Sequence, residues 1–198
     1  MAEARAERIG LYGGSFDPIH TGHLILAEAA INTACLERVY FMPTASPPHK
    51  RPGDLADFDA RAEMVRLAIA GNPRFTLSLA ESAPEVSFTY QTVAAFAGRG
   101  YGREQIHLLV GSDSLVEMQG WRNPGEIFAR ATILALMRPG YDRLPPLPPE
   151  AAVICMTAGM NSISSSAIRR LVAEGKSIRY LVPEAVERYV ESHGLYRP

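Results

Sequence analysis

A glycine-rich turn at residues 13–24, with the sequence GGSFDPIHTGHL, constrains this chain more than any other stretch. The apolar run at 9–12 before it is typical of a buried strand, and the alanine-rich run at 24–34 after it predicts a helix. A strand, a glycine turn and a helix start can together hold phosphate. Glycines let the backbone come close to the anion, and the N–H groups of the helix's first turn point at it.

Two histidines stand at the start of this predicted helix. His20 and His23 are three residues apart, so both rings can face one bound anion if the helix begins near Thr21. The alternative is a glycine turn with two solvent-facing histidines. The dinucleotide-binding fingerprint G-x-G-x-x-G is absent, since the paired glycines of the turn are followed only by Gly22.

Apolar runs alternate with helical patterns along the chain. This alternation predicts an α/β fold, a Rossmann-like doubly wound parallel sheet of about six strands with helices on both faces. The strands are predicted at 8–13, 38–42, 75–79, 105–110, 132–137 and 152–156. The helices are predicted at 24–34, 57–70, 90–97, 113–119, 124–129, 164–173 and 184–192. Because ligands bind beyond the carboxyl ends of such strands, the Gly13-Gly14 pair, Pro43 and Gly111 are expected at one crevice.

The composition favours one compact soluble domain spanning residues 1–198, because 47% of the residues are hydrophobic and 21% are charged. A net charge of −1 argues against a general binder of nucleic acid or of anionic membranes. No apolar run reaches the roughly 18 residues of a membrane span, and residues 1–8 lack the apolar core of a signal peptide. A cytoplasmic location is therefore predicted. Cys35 and Cys155 match no metal spacing and lie beside apolar runs, which predicts buried thiols in a reducing compartment.

Residues 43–53 form a proline-rich and basic stretch, PTASPPHKRPG. Its prolines exclude a regular helix or a central strand, so a loop is predicted at the binding end of the sheet. Lys50 could neutralise phosphate oxygens there, and the alternative is a basic loop that only faces solvent. The composition also suggests a loop that closes over a substrate.

Two further helix starts carry candidate ligand-binding groups. Asp113 follows Gly111 at the end of an apolar run, where it either caps a helix or lies in the crevice and holds substrate hydroxyls or metal-bound water. Trp121 lies in a polar, glycine-bearing stretch, so stacking on a flat ring competes with an ordinary core position. Thr89, before the third helix, could equally be a cap or turn residue.

Three serines at another helix start offer hydroxyl and backbone donors in one cluster. They are Ser164, Ser165 and Ser166, and Arg169 lies close enough along the helix to reach the same anion with its planar guanidinium. The alternative is a helix start with more capping residues than it needs.

Together these motifs resemble the bacterial nicotinate-nucleotide adenylyltransferases, within the nucleotidyltransferase superfamily that carries paired histidines as HxGH. The shared segments are GGSFDPIHTGHL, PPHK, SFT, GSD with Trp121, and ISSSAIR, in the family's order over nearly the whole chain. Two positions depart from the family's pattern. Gln91 stands where many relatives carry Asp, so it is left out of the site, and Ser166 replaces the usual Thr but keeps the hydroxyl.

The resemblance implies an adenylyltransferase of NAD biosynthesis, which joins nicotinate mononucleotide to the AMP part of ATP and gives deamido-NAD and pyrophosphate. The mononucleotide's own phosphate is an adequate nucleophile. The enzyme's work is then in-line alignment with the α-phosphorus and stabilisation of charge on the phosphate oxygens. Mg²⁺ should be coordinated by the triphosphate of ATP rather than by a metal site that the protein builds.

The resemblance also implies roles for individual residues. Contacts to the ATP phosphates during catalysis fall to His20, His23, Lys50 and Arg169. The nucleotide-binding residues are Gly13, Gly14, Ser15, Phe16, Gly111, Asp113, Ser164, Ser165 and Ser166. The nicotinate mononucleotide would be held by Thr89, Trp121 and Lys50.

Three alternatives remain open. A phosphopantetheine adenylyltransferase shares both phosphate-binding motifs, although PPHK and Trp121 speak against it. A class I aminoacyl-tRNA synthetase shares the histidine helix start, but 198 residues leave no room for a KMSKS-like segment and a tRNA-binding domain. A nucleotide-binding regulator without catalysis is the alternative from a different class. The sequence also leaves a homo-oligomer open.

Overall fold

The structure of the chain is a computed structural model, and it describes residues 7–46, 54–82, 88–137, 144–156 and 163–197. Within these ranges, six strands form one parallel sheet with the order β3-β2-β1-β4-β5-β6. The strands are β1 Ile9–Gly14, β2 Arg38–Pro43, β3 Phe75–Leu77, β4 Ile106–Gly111, β5 Thr132–Leu136 and β6 Val153–Met156. The order runs outward from β1 in one direction and from β4 in the other, which is a doubly wound topology. The predicted fold class is confirmed.

Seven α-helices connect these strands in the described part of the chain. They are α1 Thr21–Ala34, α2 Phe58–Ile69, α3 Thr89–Ala97, α4 Ser112–Glu117, α5 Pro124–Arg130, α6 Ser165–Ala173 and α7 Glu184–Ser192, with a 3₁₀ turn at Met118–Gly120. Each coincides with a helix predicted from the sequence. The largest shift is at α1, which begins at Thr21 instead of residue 24. Asp57 holds the position before α2, but its side chain accepts no capping hydrogen bond.

The described residues form two compact units. The first unit contains residues 7–12, 26–40, 88–137 and 144–156. The second unit contains residues 13–25, 41–46, 54–82 and 163–197. This division does not decide whether the chain folds as one domain, so a single domain over residues 1–198 stays a prediction.

The first unit is built on the parallel pairing of β5 with β4 and β6. Every residue of β5 is buried, as expected for a parallel strand covered on both faces. Close packing around β1 requires a glycine. A Cβ on Gly10 would lie 3.0 Å from side-chain carbons of both Leu36 and Leu109, so no larger residue fits there without displacing them.

The second unit packs α2 against β3 and α7. A row of aromatic rings crosses its core. The ring centroids of Phe16 and Phe41 are 5.9 Å apart, and those of Phe41 and Phe75 are 5.1 Å apart. Because Phe16 follows β1 directly, this row anchors the turn between β1 and α1 to the apolar interior of the unit.

The prediction of buried thiols is wrong, since Cys35 and Cys155 are both exposed. Cys35 follows the last residue of α1 with a φ of 52°, in the left-handed region where helices end. Cys155 lies on β6, an edge strand of the sheet. An apolar neighbourhood along the sequence therefore does not cover either side chain. Each helix in the described ranges is too short or too polar to span a membrane.

Candidate functional site

The turn between β1 and α1 contains a residue in an unusual backbone conformation. Phe16 is buried and has a φ of 46°, in the left-handed region that bulky side chains seldom adopt. Its ring meets the ring of His23 edge-on, with centroids 5.1 Å apart. Backbone strain of this kind concentrates at functional sites, where the surrounding structure fixes it. The strain here lies against one of the two predicted catalytic histidines.

The two histidines form one hydrogen-bonded and stacked pair at the start of α1. His20 precedes the first helical residue, and its backbone N–H donates to Nδ1 of His23 at 3.1 Å. The ring centroids are 3.7 Å apart and the planes differ by 27°. Because Nδ1 of His23 accepts this bond, its neutral ring carries the proton on Nε2. The helix start therefore fixes both the orientation and the tautomer of His23.

The glycine between the histidines leaves room for this pair. A Cβ on Gly22 would lie 3.0 Å from Nδ1 of His20 and 3.1 Å from Cε1 of the same ring. These distances are shorter than ordinary contacts of a Cβ, so any side chain at this position would displace the ring of His20. The spacing H-x-G-H thus follows from the packing of the two rings.

Two N–H groups in the first turn of α1 are already bonded within the protein. Thr21 donates its N–H to the carbonyl oxygen of Leu181 at 2.9 Å and its hydroxyl to the same oxygen at 3.0 Å. The N–H of His23 donates to the carbonyl oxygen of His20 at 2.9 Å. The expectation that the N–H groups of this turn point at an anion is wrong for these two. Side chains, above all the histidine rings, are the better candidates for anion contact here.

The serines at the start of α6 have separate structural partners. Ser164 is the N-cap, and its hydroxyl oxygen accepts from the N–H of Ala167 at 3.2 Å. The hydroxyl of Ser165 donates to the carbonyl oxygen of Pro18 at 3.0 Å. The alternative of capping thus applies to Ser164, whereas Ser165 connects α6 to the turn that carries the histidines.

Arg169 makes a second connection between α6 and the same turn. Its Nη1 donates to the carbonyl oxygen of Asp17 at 2.7 Å and lies 3.4 Å from Oδ2 of the Asp17 carboxylate. Nη2 donates to the hydroxyl oxygen of Ser166 at 3.4 Å. About a quarter of the Arg169 side chain is exposed (26%). Two of the predicted phosphate-binding motifs, in α1 and α6, therefore meet within the second unit.

Asp17 was not predicted as a site residue, yet it is central to these contacts. It is fully buried, and its Oδ1 accepts from the hydroxyl of Tyr196 at 2.7 Å and from the N–H of Ala56 at 3.2 Å. Burial and the neighbouring carboxylate raise the pKa of Tyr196 far above its ordinary value, so its hydroxyl is a donor throughout the working pH range. The sequence did contain a signal for this role of Asp17. A carboxylate in a turn that binds phosphate needs a cation beside it.

Arg61 is a second residue that the sequence interpretation left without a function. Its guanidinium is buried and donates to backbone carbonyl oxygens of four residues, Ser15 at 2.7 Å, Thr44 and Ala56 at 2.9 Å, and Ala45 at 3.4 Å. Burial lowers the pKa of Arg61, and the charge of Asp17 acts in the opposite direction. Arg61 therefore fixes the turn and the end of β2 around one buried positive charge.

A buried carboxylate supports the end of β2. Glu81 accepts from the hydroxyl of Thr44 at 2.6 Å, and its carbonyl oxygen accepts from the N–H of Ala45 at 3.0 Å. The N–H of Thr44 donates to the carbonyl oxygen of Gly14 at 3.0 Å. The carboxyl ends of β1 and β2 thus lie side by side, as expected for Gly14 and Pro43.

The other predicted site residues lie in the first unit or outside the described residues. Thr89 begins α3, Gly111 is the N-cap of α4, and Asp113 is the second residue of that helix. Trp121 follows the 3₁₀ turn and is only partly buried, so it is not a core residue. Their part in the site stays a prediction, as does that of Lys50, which lies outside the described residues. No group of three or more His, Cys, Asp or Glu side chains in the described ranges could hold a metal ion.

Comparison with known proteins identifies the class. Residues 11–171 match the cytidylyltransferase-like family, which agrees with the sheet order and with the histidine pair at the start of α1. A nicotinic acid mononucleotide adenylyltransferase of Plasmodium falciparum, solved in complex with NaAD, has the same fold with a TM-score of 0.77, over 96% of this chain and 97% of that one, at 19% identity. The chain thus has the fold of a nucleotidyltransferase.

Closer relatives identify the family within this class. A probable nicotinate-nucleotide adenylyltransferase of Thermus thermophilus is 44% identical over 96% of this chain and 100% of the relative. The nicotinate-nucleotide adenylyltransferase of Bacillus subtilis is 35% identical over 96% of this chain and 98% of the relative. The chain belongs to the nicotinate-nucleotide adenylyltransferase family, as its motifs predicted.

Proposed function

We propose that this chain transfers the adenylyl group of ATP to nicotinate mononucleotide in the biosynthesis of NAD. An oxygen of the mononucleotide phosphate attacks the α-phosphorus of ATP. The bond from the α-phosphorus to the bridging oxygen breaks, and pyrophosphate leaves with the electron pair, giving deamido-NAD. The observation that carries this proposal is the locked histidine pair joined to Arg169 through the turn at Asp17, in a chain 44% identical to a relative named for this activity.

The chemistry asked of the protein is alignment and charge stabilisation. His23 would donate its Nε2–H to the phosphate oxygens, with His20 stacked against it and held by the same helix start. Arg169 would add a cation that is fixed by Asp17 and still partly exposed. No activated serine or cysteine is required, since the attacking phosphate is already an anion. ATP would enter as its Mg²⁺ complex, so the metal ion belongs to the substrate.

The remaining assignments rest on the sequence motifs. Gly13, Gly14, Ser15 and Phe16, with Gly111 and Asp113 at the start of α4, would contact the nucleotide. Thr89 and Trp121 would hold the pyridine end, and Lys50 would contact phosphate. Ser164, Ser165 and Ser166 would complete the phosphate site at the start of α6. Ser166 already accepts a hydrogen bond from Arg169, which places its hydroxyl beside that cation. A cytoplasmic location and a homo-oligomer stay predictions.

The first test compares three acceptors by pyrophosphate release with ATP and Mg²⁺. We expect strong activity with nicotinate mononucleotide, much less with nicotinamide mononucleotide, and none with phosphopantetheine. Activity with phosphopantetheine alone would move the chain to the sister enzyme. Binding of ATP that releases no pyrophosphate with any of the three acceptors would favour the regulator.

The second test removes one ring of the histidine pair. His20→Ala is expected to lower kcat about 100-fold or more, because the predicted phosphate contact of His20 and the ring that stacks on His23 are both lost. Turnover should fall far more than the loss of this buried ring destabilises the fold. His193→Ala is the matched control, since His193 is an exposed histidine at the end of α7. Turnover of His20→Ala close to that of the control would contradict the assignment.

A further inference from the structure

The carboxylate of Asp17 joins three segments of the second unit that are distant in the sequence. Oδ1 accepts from the Tyr196 hydroxyl at 2.7 Å and from the N–H of Ala56 at 3.2 Å. Oδ2 lies 3.4 Å from Nη1 of Arg169, and that nitrogen also donates to the Asp17 carbonyl oxygen at 2.7 Å. The carboxylate is fully buried, so its orientation is set by these donors rather than by water.

We propose that Tyr196 is a positioning residue for the phosphate contact of Arg169. By holding Oδ1, its hydroxyl turns the Asp17 carboxylate so that only Oδ2 faces the guanidinium. Arg169 is then anchored through Nη1 while the rest of its planar group can meet an anion. This inference rests on the proposed function, in which Arg169 contacts the ATP phosphates.

Arg169 has enough N–H donors to bind Asp17 and a phosphate at the same time. A guanidinium carries five N–H donors in a rigid fork, and the contacts with Asp17 and Ser166 engage the two terminal nitrogens. The side chain is partly exposed, whereas the Asp17 side chain is not. A carboxylate freed from Tyr196 could rotate and take both terminal nitrogens in a two-point pair, which is the geometry that an incoming phosphate also needs. Phosphate would then compete with Asp17.

The backbone at Tyr196 supports a constrained role. Its φ is 63°, a left-handed conformation that a bulky residue keeps only where the surroundings fix it. Tyr196 follows α7 near the end of the described chain, and 179 positions separate it from Asp17. Burying the Tyr196 hydroxyl and the Asp17 carboxylate costs free energy of desolvation. A residue that only filled space would not need this hydroxyl, so the bond indicates a further role for Tyr196.

The test is Tyr196→Phe in the full chain, which removes the hydroxyl and keeps the ring. The matched control is Tyr189→Phe, which removes a hydroxyl from α7, the helix that precedes Tyr196. Tyr189 stacks on His193. We expect Tyr196→Phe to weaken the binding of inorganic pyrophosphate, measured by calorimetry, about five- to tenfold. We also expect a similar fall in kcat, with KM for nicotinate mononucleotide close to that of the control. Tm should fall below that of the control, because the buried Asp17 carboxylate loses a donor.

A double-mutant cycle separates positioning from plain packing. If Tyr196 acts through Arg169, Tyr196→Phe has no further effect on pyrophosphate affinity in an Arg169→Gln background. Equal losses in both backgrounds, or an affinity of Tyr196→Phe equal to that of the wild type, would overturn the inference. Pyrophosphate binding needs no acceptor. A wild-type chain that binds pyrophosphate, but releases none from ATP when nicotinate mononucleotide is the acceptor, therefore refutes the proposed function and still tests Tyr196.

A measurement on the wild-type chain covers the case in which Tyr196→Phe does not fold. Exchange of the Tyr196 hydroxyl proton with water, followed by NMR, is expected to slow several-fold when pyrophosphate binds, because an anchored Arg169 stiffens the Asp17 contacts. The Tyr189 hydroxyl serves as the internal reference. An exchange rate of Tyr196 that pyrophosphate leaves unchanged speaks against the coupling.

Discussion

Gly22 lies between the two histidines of α1, and the space around it excludes a side chain. A Cβ there would lie 3.0 Å from Nδ1 of His20, while His23 holds the backbone N–H of His20 through its own Nδ1. The ring of His20 stacks on the ring of His23, with centroids 3.7 Å apart, and lies against the backbone of Gly22. A methyl group added at Gly22 would push the His20 ring away from the His23 ring. The stacked geometry of the pair therefore requires glycine at this position.

We expect Gly22→Ala to lower kcat on the order of 10- to 100-fold, because a displacement of about 1 Å at a catalytic group has effects of this size. The free energy of unfolding should change by no more than about 1 kcal/mol, since alanine favours the helix while the contact opposes it. Gly125→Ala is the matched control. Gly125 is also the second residue of its helix, and a Cβ there would meet nothing within 4 Å. Equal activity of the two variants would show that the ring of His20 does not respond to this position.

Replacing Arg61 tests how much the stability of the turn between β1 and α1 depends on this buried guanidinium. Arg61→Met keeps most of the side-chain volume but leaves the carbonyl oxygens of Ser15, Thr44, Ala45 and Ala56 without their donor. Unsatisfied buried groups cost about 1–3 kcal/mol each, so we expect a loss of about 3 kcal/mol or more in the free energy of unfolding, measured in urea.

The control for Arg61 lies on the same helix. Arg66 pairs with Glu63 at the surface, with more than half of its side chain exposed, and Arg66→Met should change the free energy of unfolding far less than Arg61→Met. Similar losses in the two variants would mean that the helix, rather than the carbonyl contacts, accounts for the effect.

At the scale of elements, the sequence predicts most helix and strand bounds because each apolar run and each stop signal is local. The helix predicted at 184–192 coincides with α7, since Pro183 marks its start. The start of α1 was missed by three residues. Nδ1 of His23 accepts there from the N–H of His20, and histidine is outside the residue types that usually signal a helix start. The contacts of Arg61, Asp17 and Tyr196 join positions up to 179 residues apart, and local patterns carry no information on such pairs.

The element β4 contains a buried histidine whose ionisation affects stability. Burial lowers the pKa of His107 below its ordinary value, and the carbonyl oxygen of Gln105 opposes this in part. The unfolded chain, with an ordinary pKa of about 6.5, therefore binds more protons than the folded chain as the pH falls through this range. Stability from this group is fully present above about pH 7 and is lost as the pH falls below about 6.5.

We expect the free energy of unfolding to fall between about pH 7.5 and pH 5, and to fall less steeply in His107→Gln, which cannot take up the proton. Urea unfolding at several pH values gives both slopes. His193→Gln is the control, because His193 is exposed and its replacement leaves His107 in place. Parallel curves for the wild type and His107→Gln would remove His107 as the cause.

On the scale of the whole molecule, the net charge gives no information on where the positive charges lie, and the proposed reaction needs them beside the phosphates of ATP. A net charge of −1 gives no attraction for the polyphosphate of ATP. The second unit nevertheless holds the guanidinium groups of Arg61 and Arg169 and both histidines of the pair, and the buried Asp17 carboxylate pairs with Arg169. Composition could exclude a general binder of nucleic acid, but it could not reveal a local cluster that forms only when distant segments fold together.

The two units are also linked by single elements. Residues 21–25 of α1 belong to the second unit and residues 26–34 to the first, and β1 and β2 are divided in the same way. If one half of such a helix or strand unfolds, the other half is left with unpaired backbone N–H and C=O groups at its end. Buried unpaired groups of this kind are unfavourable. Loss of one unit should therefore remove structure from the other, which favours a single cooperative transition.

We expect thermal unfolding to show one transition, with a calorimetric enthalpy close to the van't Hoff enthalpy. Trp121 is the only tryptophan and lies in the first unit, so its fluorescence reports that unit, while far-UV circular dichroism reports all helices. The two probes should give the same Tm. Arg61→Met, which weakens contacts in the second unit, should lower the Tm seen by Trp121 as much as the Tm seen by circular dichroism. A fluorescence transition that stays at the wild-type temperature while circular dichroism shifts would mean that the units unfold separately, and a single domain over residues 1–198 would then be the wrong description.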